Sequence, residues 1–308
     1  MVQWMTGRSG RLSITQIQAM LLHRKFRRAG LAQHLIDVEN GQLSCWVGGK
    51  GPPLLLIQGF GASAIWQWHR QVRKLARHHT LIVPDLLYFG GSTSPKGEQS
   101  LAYQATAMLQ LMDHLGHGHF SLVGISYGGF VAMRMALEHP ERIDRMVINN
   151  SPGLGISEED YHRMLKTFNV QHPREVFVPD QPDGVRRLIQ IAWHRPPPLP
   201  DFAVRDAYRN LFHNQVEEKR RLLDELIAHV NNPSFSGDNL ENMKRPVLII
   251  WGQHDRVFPL DLAYELQQKL GSETRLEVVR KTGHAPNLER PRIFNRLVLN
   301  FLADGQRI

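Results

Sequence analysis

A serine hydroxyl is a weak nucleophile near neutral pH, and three residues of this chain have the types and spacing to change that. Ser126 lies in Gly124-Ile125-Ser126-Tyr127-Gly128, directly after the apolar run Phe120-Ser121-Leu122-Val123 and before the helix-forming residues 129–136. A strand feeding G-x-S-x-G predicts a sharp strand-to-helix turn that holds the hydroxyl exposed at the end of a sheet. The amide N–H after the serine, that of Tyr127, then points where an oxyanion would form. Such a serine needs a base, and the base needs an acid to orient it, in the chain order Ser, Asp or Glu, His.

The rest of the chain supplies that order. The run Val247-Leu248-Ile249-Ile250-Trp251 reads as a buried strand ended by Gly252, and Asp255 follows on its loop. Next come a helical stretch over 260–270 and a strand at Leu276-Glu277-Val278-Val279, and His284 sits on the loop after it. With 16 histidines in the chain, no single one is informative alone. An aspartate after a strand is, by itself, an ordinary turn or capping residue. The joint placement of Ser126, Asp255 and His284 is what predicts a triad. A second oxyanion donor is expected on the loop after the strand Pro53-Leu54-Leu55-Leu56-Ile57, where Gly59-Phe60-Gly61 lets backbone approach a substrate and the Phe60 N–H is the candidate.

These segments together resemble the α/β-hydrolase fold, and within it the serine esterase and lipase branch, the hydrolases often labelled monoacylglycerol-lipase-like. The residues carrying the likeness are Gly59-Phe60-Gly61-Ala62-Ser63 with Trp66-Gln67-Trp68, the stretch Pro84-Asp85-Leu86-Leu87-Tyr88-Phe89-Gly90-Gly91-Ser92, the elbow at 124–130, the acid loop at 252–259, and Gly283-His284-Ala285-Pro286-Asn287-Leu288-Glu289. The resemblance covers about residues 31–303 and is weakest in the middle third. One departure is Gln58, where the family usually has His. Some relatives place the acid after the strand at 145–148; here Asn149 and Asn150 stand there, which favours Asp255. The resemblance implies ester hydrolysis through an acyl-enzyme, with no cofactor and no metal. Haloalkane dehalogenases and epoxide hydrolases of the fold use an Asp nucleophile where this chain has Ser126. Carbon–carbon-bond hydrolases keep the triad and are the alternative; they typically carry Trp directly after the catalytic His, where this chain has Ala285. A slow-turnover ligand receptor is a further alternative.

Short apolar strands alternating with helical segments predict an α/β fold with a mostly parallel sheet covered on both faces. Residues 34–38 and 43–47 read as a hairpin across Glu39-Asn40-Gly41. The alternation stops between 151 and about 243, where helical pieces at 158–168, 184–193 and 201–230 surround Arg195-Pro196-Pro197-Pro198-Leu199-Pro200. The resemblance implies that this insertion is a helical lid, with Leu165, Phe168, Ile189, Trp193, Phe202, Leu211, Phe212 and Leu226 as candidate wall residues, most of them core of the lid itself. The expected organisation is a basic helical extension at 1–30, a first core part at 31–152, the lid at 153–243 and a second core part at 244–308.

The 308 residues, 42% hydrophobic, can bury a sizeable core. Six of the eight net positive charges come from Arg8, Arg11, Arg24, Lys25, Arg27 and Arg28, in a stretch of 36 residues without an acid. Ile14, Ile17, Met20 and Leu21 form a short stripe there, open to two readings: peripheral contact with an anionic membrane through residues 11–30, or a helix ending at Gly30 whose cations suit its dipole. No basic–aromatic module points to nucleic acid. No secretory signal or membrane-spanning run is read, and the single Cys45 cannot form an intrachain disulfide, so a cytoplasmic protein is expected. His114, His117 and His119 could suggest a metal; they read instead as a loop into the central strand.

Overall fold

The computed structural model describes residues 13–39, 41–61, 63–95, 97–230, 240, 243, 245–271 and 273–304. The turn residue Asn40, Ala62 of the Gly59 loop, and the cations Arg8 and Arg11 lie outside them. Eight described strands form one sheet: β1 (Leu31–Val38), β2 (Gly41–Gly49), β3 (Pro53–Ile57), β4 (Thr80–Pro84), β5 (Phe120–Ile125), β6 (Ile143–Asn149), β7 (Val247–Gly252) and β8 (Arg275–Val279). Their order is β1-β2-β4-β3-β5-β6-β7-β8. The β1–β2 hairpin and the β2–β4 pair are antiparallel, and every later pair is parallel.

β5 and β7 are buried along their whole length, as their unbroken apolar runs require of strands covered on both faces. Alternate residues feed two cores. Leu55, Ile57, Leu122, Ile148 and Ile249 pack on one face, beneath helices α4 (Leu101–His114), α5 (Tyr127–Glu138) and α11 (Asp261–Leu270). Leu54, Leu56, Val123, Val147 and Ile250 pack on the other, with α1 (Ile14–Arg28), α2 (Ala64–Trp68), α3 (Val72–Leu75) and α13 (Pro291–Ala303).

Between β6 and β7 the chain leaves the sheet and forms α6 (Glu158–Phe168), α7 (Arg174–Phe177), α8 (Pro182–Ala192), α9 (Asp201–Ala207) and α10 (Val216–Val230). The helix expected over 201–230 is two helices. The chain unwinds through a wide turn at Tyr208–Phe212, and Gln215, at φ 53°, cannot continue a right-handed helix. Phe202, a candidate wall residue, is instead exposed. Phe168 is buried against Phe177 inside the insertion.

The register aligns the carboxyl ends of the parallel strands. Ile57 is paired with Gly124, Ile125 with Asn149, Asn149 with Ile250 and Gly252 with Val279. Loops leaving those ends meet along one edge, the place where open α/β sheets carry their sites.

Candidate active site

Ser126 connects β5 to α5 at φ 52° and ψ −122°. That combination suits glycine, so a side chain there is held under strain. Close packing enforces the turn. A Cβ on Gly124 would fall 2.3 Å from the Gly128 carbonyl oxygen, and one on Gly128 would fall 2.4 Å from that of Gln58. The Ser126 N–H donates to the Asn149 carbonyl at 3.0 Å, fastening the elbow to β6.

His284 and Asp255 meet at this edge. His284 Nδ1 lies 2.9 Å from Asp255 Oδ2, which leaves Nε2 as the nitrogen free for proton transfer. Both residues are buried, Asp255 at 7% and His284 at 9% exposure, so water does little to weaken the pair. Asp255 Oδ1 accepts the backbone N–H groups of Val257 (2.7 Å) and Phe258 (3.1 Å), and the Phe258 ring packs on His284 at 5.6 Å. Asn150 Nδ2 donates to Asp255 Oδ2 at 2.5 Å, while Asn150 Oδ1 accepts the Gly252 N–H at 3.2 Å. Asn150, in the sequence a neutral residue at a rival acid's position, thus holds the acid from the neighbouring strand.

The Gly59 loop lies against the elbow: a Cβ on Gly59 would stand 3.1 Å from Ser126 Cβ and 3.7 Å from its Oγ. The Phe60 N–H has no hydrogen-bond partner among the described residues. The Tyr127 N–H is in the first turn of α5, where helical amides lack an intrahelical acceptor. The two rings stand edge to face at 5.6 Å, and Phe60 meets Phe89 in the same way at 5.0 Å. Burial pushes the Tyr127 phenol well above its ordinary value, so it stays neutral. Gln58 is buried and neither of its amide atoms has a partner among the described residues, so its side chain does not brace the loop.

Bracing comes from Asp85. Its Oδ1 accepts the Ala64 N–H at 2.8 Å, just beyond the loop, and its Oδ2 accepts the Gly91 N–H at 3.0 Å. Burial raises the Asp85 carboxyl to about 6. Glu289 braces the base. Its Oε1 accepts the Gly283 N–H (2.6 Å) and its Oε2 the His194 N–H (3.1 Å), while the His284 N–H donates to the Ala192 carbonyl (2.7 Å). The end of α8 is therefore stitched to the His284 loop.

Lys219 of α10 is buried at 5% exposure, with Nζ 2.6 Å from the Asn214 carbonyl and 5.3 Å from the centre of the Phe89 ring. No carboxylate among the described residues pairs with it. Burial lowers its ammonium to about 8. Lys219, and the bracing contacts of Asn150, Asp85 and Glu289, were not read from sequence. The signal for Asn150 was the polar run Asn149-Asn150-Ser151 closing a buried strand, all three being fully buried. Among the described residues no three His, Cys, Asp or Glu side chains converge as a metal site.

A strained serine elbow and a buried His–Asp pair lie at one sheet edge, with the Phe60 and Tyr127 N–H groups beside the elbow, the arrangement expected of a hydrolase-type site. The sequence model for the alpha/beta hydrolase fold matches residues 52–291, and the chain belongs to that family. Among its curated relatives is the 2-hydroxy-6-oxo-2,4-heptadienoate hydrolase of Pseudomonas putida, 26% identical over 83% of this chain and 90% of the relative. Another is the 2-hydroxy-6-oxononadienedioate/2-hydroxy-6-oxononatrienedioate hydrolase of a Pseudomonas species, 27% identical over 87% and 95%. The structure of a bacterial membrane phospholipase A superposes with a TM-score of 0.79 at 25% identity, covering 95% of this chain and 93% of that one.

Proposed function

We propose that the chain is a serine hydrolase in which Ser126 Oγ attacks a carbonyl carbon. The observation that carries this is the 2.9 Å His284–Asp255 contact at the same sheet edge as the strained Ser126 elbow. His284 takes the serine proton at Nε2, Asp255 holds the ring and its developing charge, and the Phe60 and Tyr127 N–H groups receive the oxyanion. When the tetrahedral centre collapses, the bond to the leaving group breaks and His284 returns the proton to that group. Water, activated by His284, then frees the acyl group from Ser126.

Two leaving groups fit this step. A carbon leaving group, from a carboxylate-bearing ketone, is supported by the names of both curated relatives, more strongly than they support an ester. Lys219 supports it as well, being a buried ammonium with no carboxylate paired to it among the described residues, one ring contact beyond Phe60. An alcohol leaving group is the second reading. Ala285 favours it, standing where the carbon–carbon hydrolases typically carry Trp, and so does the likeness to a phospholipase A.

The test is steady-state turnover of 2-hydroxy-6-oxo-hepta-2,4-dienoate and of p-nitrophenyl esters from acetate to palmitate, on wild type and Ser126→Ala. Saturable dienoate cleavage lost in Ser126→Ala supports the first reading, and the same result on esters alone supports the second. Unchanged turnover in Ser126→Ala on either substrate would sink the Ser126 assignment.

A further inference from the structure

Helix α1 is turned the unusual way round. Its inward face is Thr15 and Phe26, both buried, with Leu22 partly buried against the core. At 100° per residue, Ile17, Leu21, Arg24 and Arg28 fall on one outward line, flanked by Ile14, Met20 and Arg27. Ile14, Ile17, Met20 and Leu21 are between 44% and 58% exposed. The open face is therefore aliphatic in its first two turns and cationic in its last two. A helix that stops at Gly30 explains Lys25, Arg27 and Arg28, which complement its carboxyl end. It does not explain four aliphatic side chains held in water on the same face.

The amino end of α1 is bonded to the insertion. The Thr15 N–H donates to Asp206 Oδ2 at 2.7 Å, and Asn210 Nδ2 donates to Ser13 Oγ at 3.3 Å. Phe202, one turn before Asp206 on α9, is 61% exposed. An apolar ridge next to arginines that have no carboxylate partner among the described residues, in a stretch with no acid, matches the two layers of an anionic bilayer surface: acyl boundary for Ile17 and Leu21, headgroups for Arg24 and Arg28. A second copy of the same face would offer these arginines no carboxylate, which argues against self-association there.

We propose that α1, together with the Phe202 corner of the insertion, is a docking face for a phospholipid bilayer bearing anionic headgroups, and that its bonds to α9 hold the insertion at that surface. The proposal stands apart from which bond Ser126 breaks. The experiment uses the full chain carrying Ser126→Ala, so that turnover plays no part. Cosedimentation is measured with phosphatidylcholine vesicles with and without phosphatidylglycerol, at low and high salt, for this parent and for added Ile17→Glu/Leu21→Glu and Arg24→Glu/Arg28→Glu pairs. The parent should bind the anionic vesicles and release in salt. Each pair should lower partitioning by at least about tenfold with unchanged circular dichroism. No binding to anionic vesicles, or equal binding by parent and both pairs, overturns the proposal. So does a parent that is dimeric by light scattering and becomes monomeric with Ile17→Glu/Leu21→Glu, since a second copy would then be the occupant.

Discussion

Asn150 and His284 share one oxygen of Asp255: Asn150 Nδ2 donates to Oδ2 at 2.5 Å and His284 Nδ1 meets the same atom at 2.9 Å. Because Asn150 also accepts the Gly252 N–H, a single neutral amide fixes both the acid and the end of the strand that carries it. Asn150→Leu is expected to lower kcat by about 10- to 100-fold, since small misplacements at a reacting centre are costly. Steady-state kinetics with KM changed less than kcat would agree; wild-type kcat would show that Asp255 needs no such support.

Strain at Ser126 gives an opposing pair of effects. Ser126→Gly should abolish turnover and raise stability by roughly 1–2 kcal/mol, because glycine adopts φ 52° freely. Ser126→Ala should abolish turnover without that gain. Thermal melts of the two variants decide it, and equal melting temperatures would remove the strain argument.

Lys219 should make the protein less stable than it could be. Its folded-state value of about 8 lies below the ordinary 10.5, so between those pH values the unfolded chain binds more protons and stability rises with pH. At pH 7 both states are protonated and the buried charge costs up to about 3 kcal/mol. Lys219→Met is expected to melt higher at pH 7, to lose the alkaline rise, and to weaken turnover of carboxylate-bearing substrates through KM. A lower melting temperature for this variant would mean that Lys219 holds the insertion together.

Asp85 gives a slope of the other sign. With a folded value of about 6, the native state holds its proton longer than the unfolded chain, so stability falls as pH rises from about 4 to 6. Asp85→Asn should flatten that window in urea titrations. It should also slow turnover, since the two N–H groups of Ala64 and Gly91 meet different oxygens of Asp85 and an asparagine would set its NH2, a donor, against one of them. An unchanged slope would place the pH dependence elsewhere.

Glu289→Ala removes the acceptor of two backbone N–H groups, one before His284 and one in the insertion. Turnover is expected to fall about tenfold, in line with other misplaced catalytic groups. Limited proteolysis around residues 194–200 should become faster. Protection equal to wild type would show that the His284–Ala192 bond suffices.

Much of this arrangement was legible in the chain. Apolar runs with loops after them gave β3, β5, β6 and β7 to within a few residues, because strands buried on both faces leave little polar alternation to misread, while β8, an edge strand of alternating exposure, was read from its short apolar run before the His284 loop. Ser126, Asp255 and His284 were read from their place after such strands, and the structure brings Asp255 and His284 into contact. Asn150 was read as the absence of an acid, since nothing along the chain says that an amide on one strand will meet a carboxylate on the next. Lys219 was hidden for a related reason: a lysine on an amphipathic helix looks solvated until the fold buries it. The helix over 201–230 was read as continuous because Gln215 carries no local signal for positive φ.

The stitch between α8 and the His284 loop has a directional meaning. With the Ala192 carbonyl accepting the His284 N–H and Glu289 accepting the His194 N–H, the insertion is fastened to the His284 loop along one side. The other side rests on α10, where Lys219 lies on Phe89 and Gln215 Nε2 donates to the Ser92 carbonyl at 3.3 Å. A displacement of the end of α8 would therefore carry the His284 loop with it.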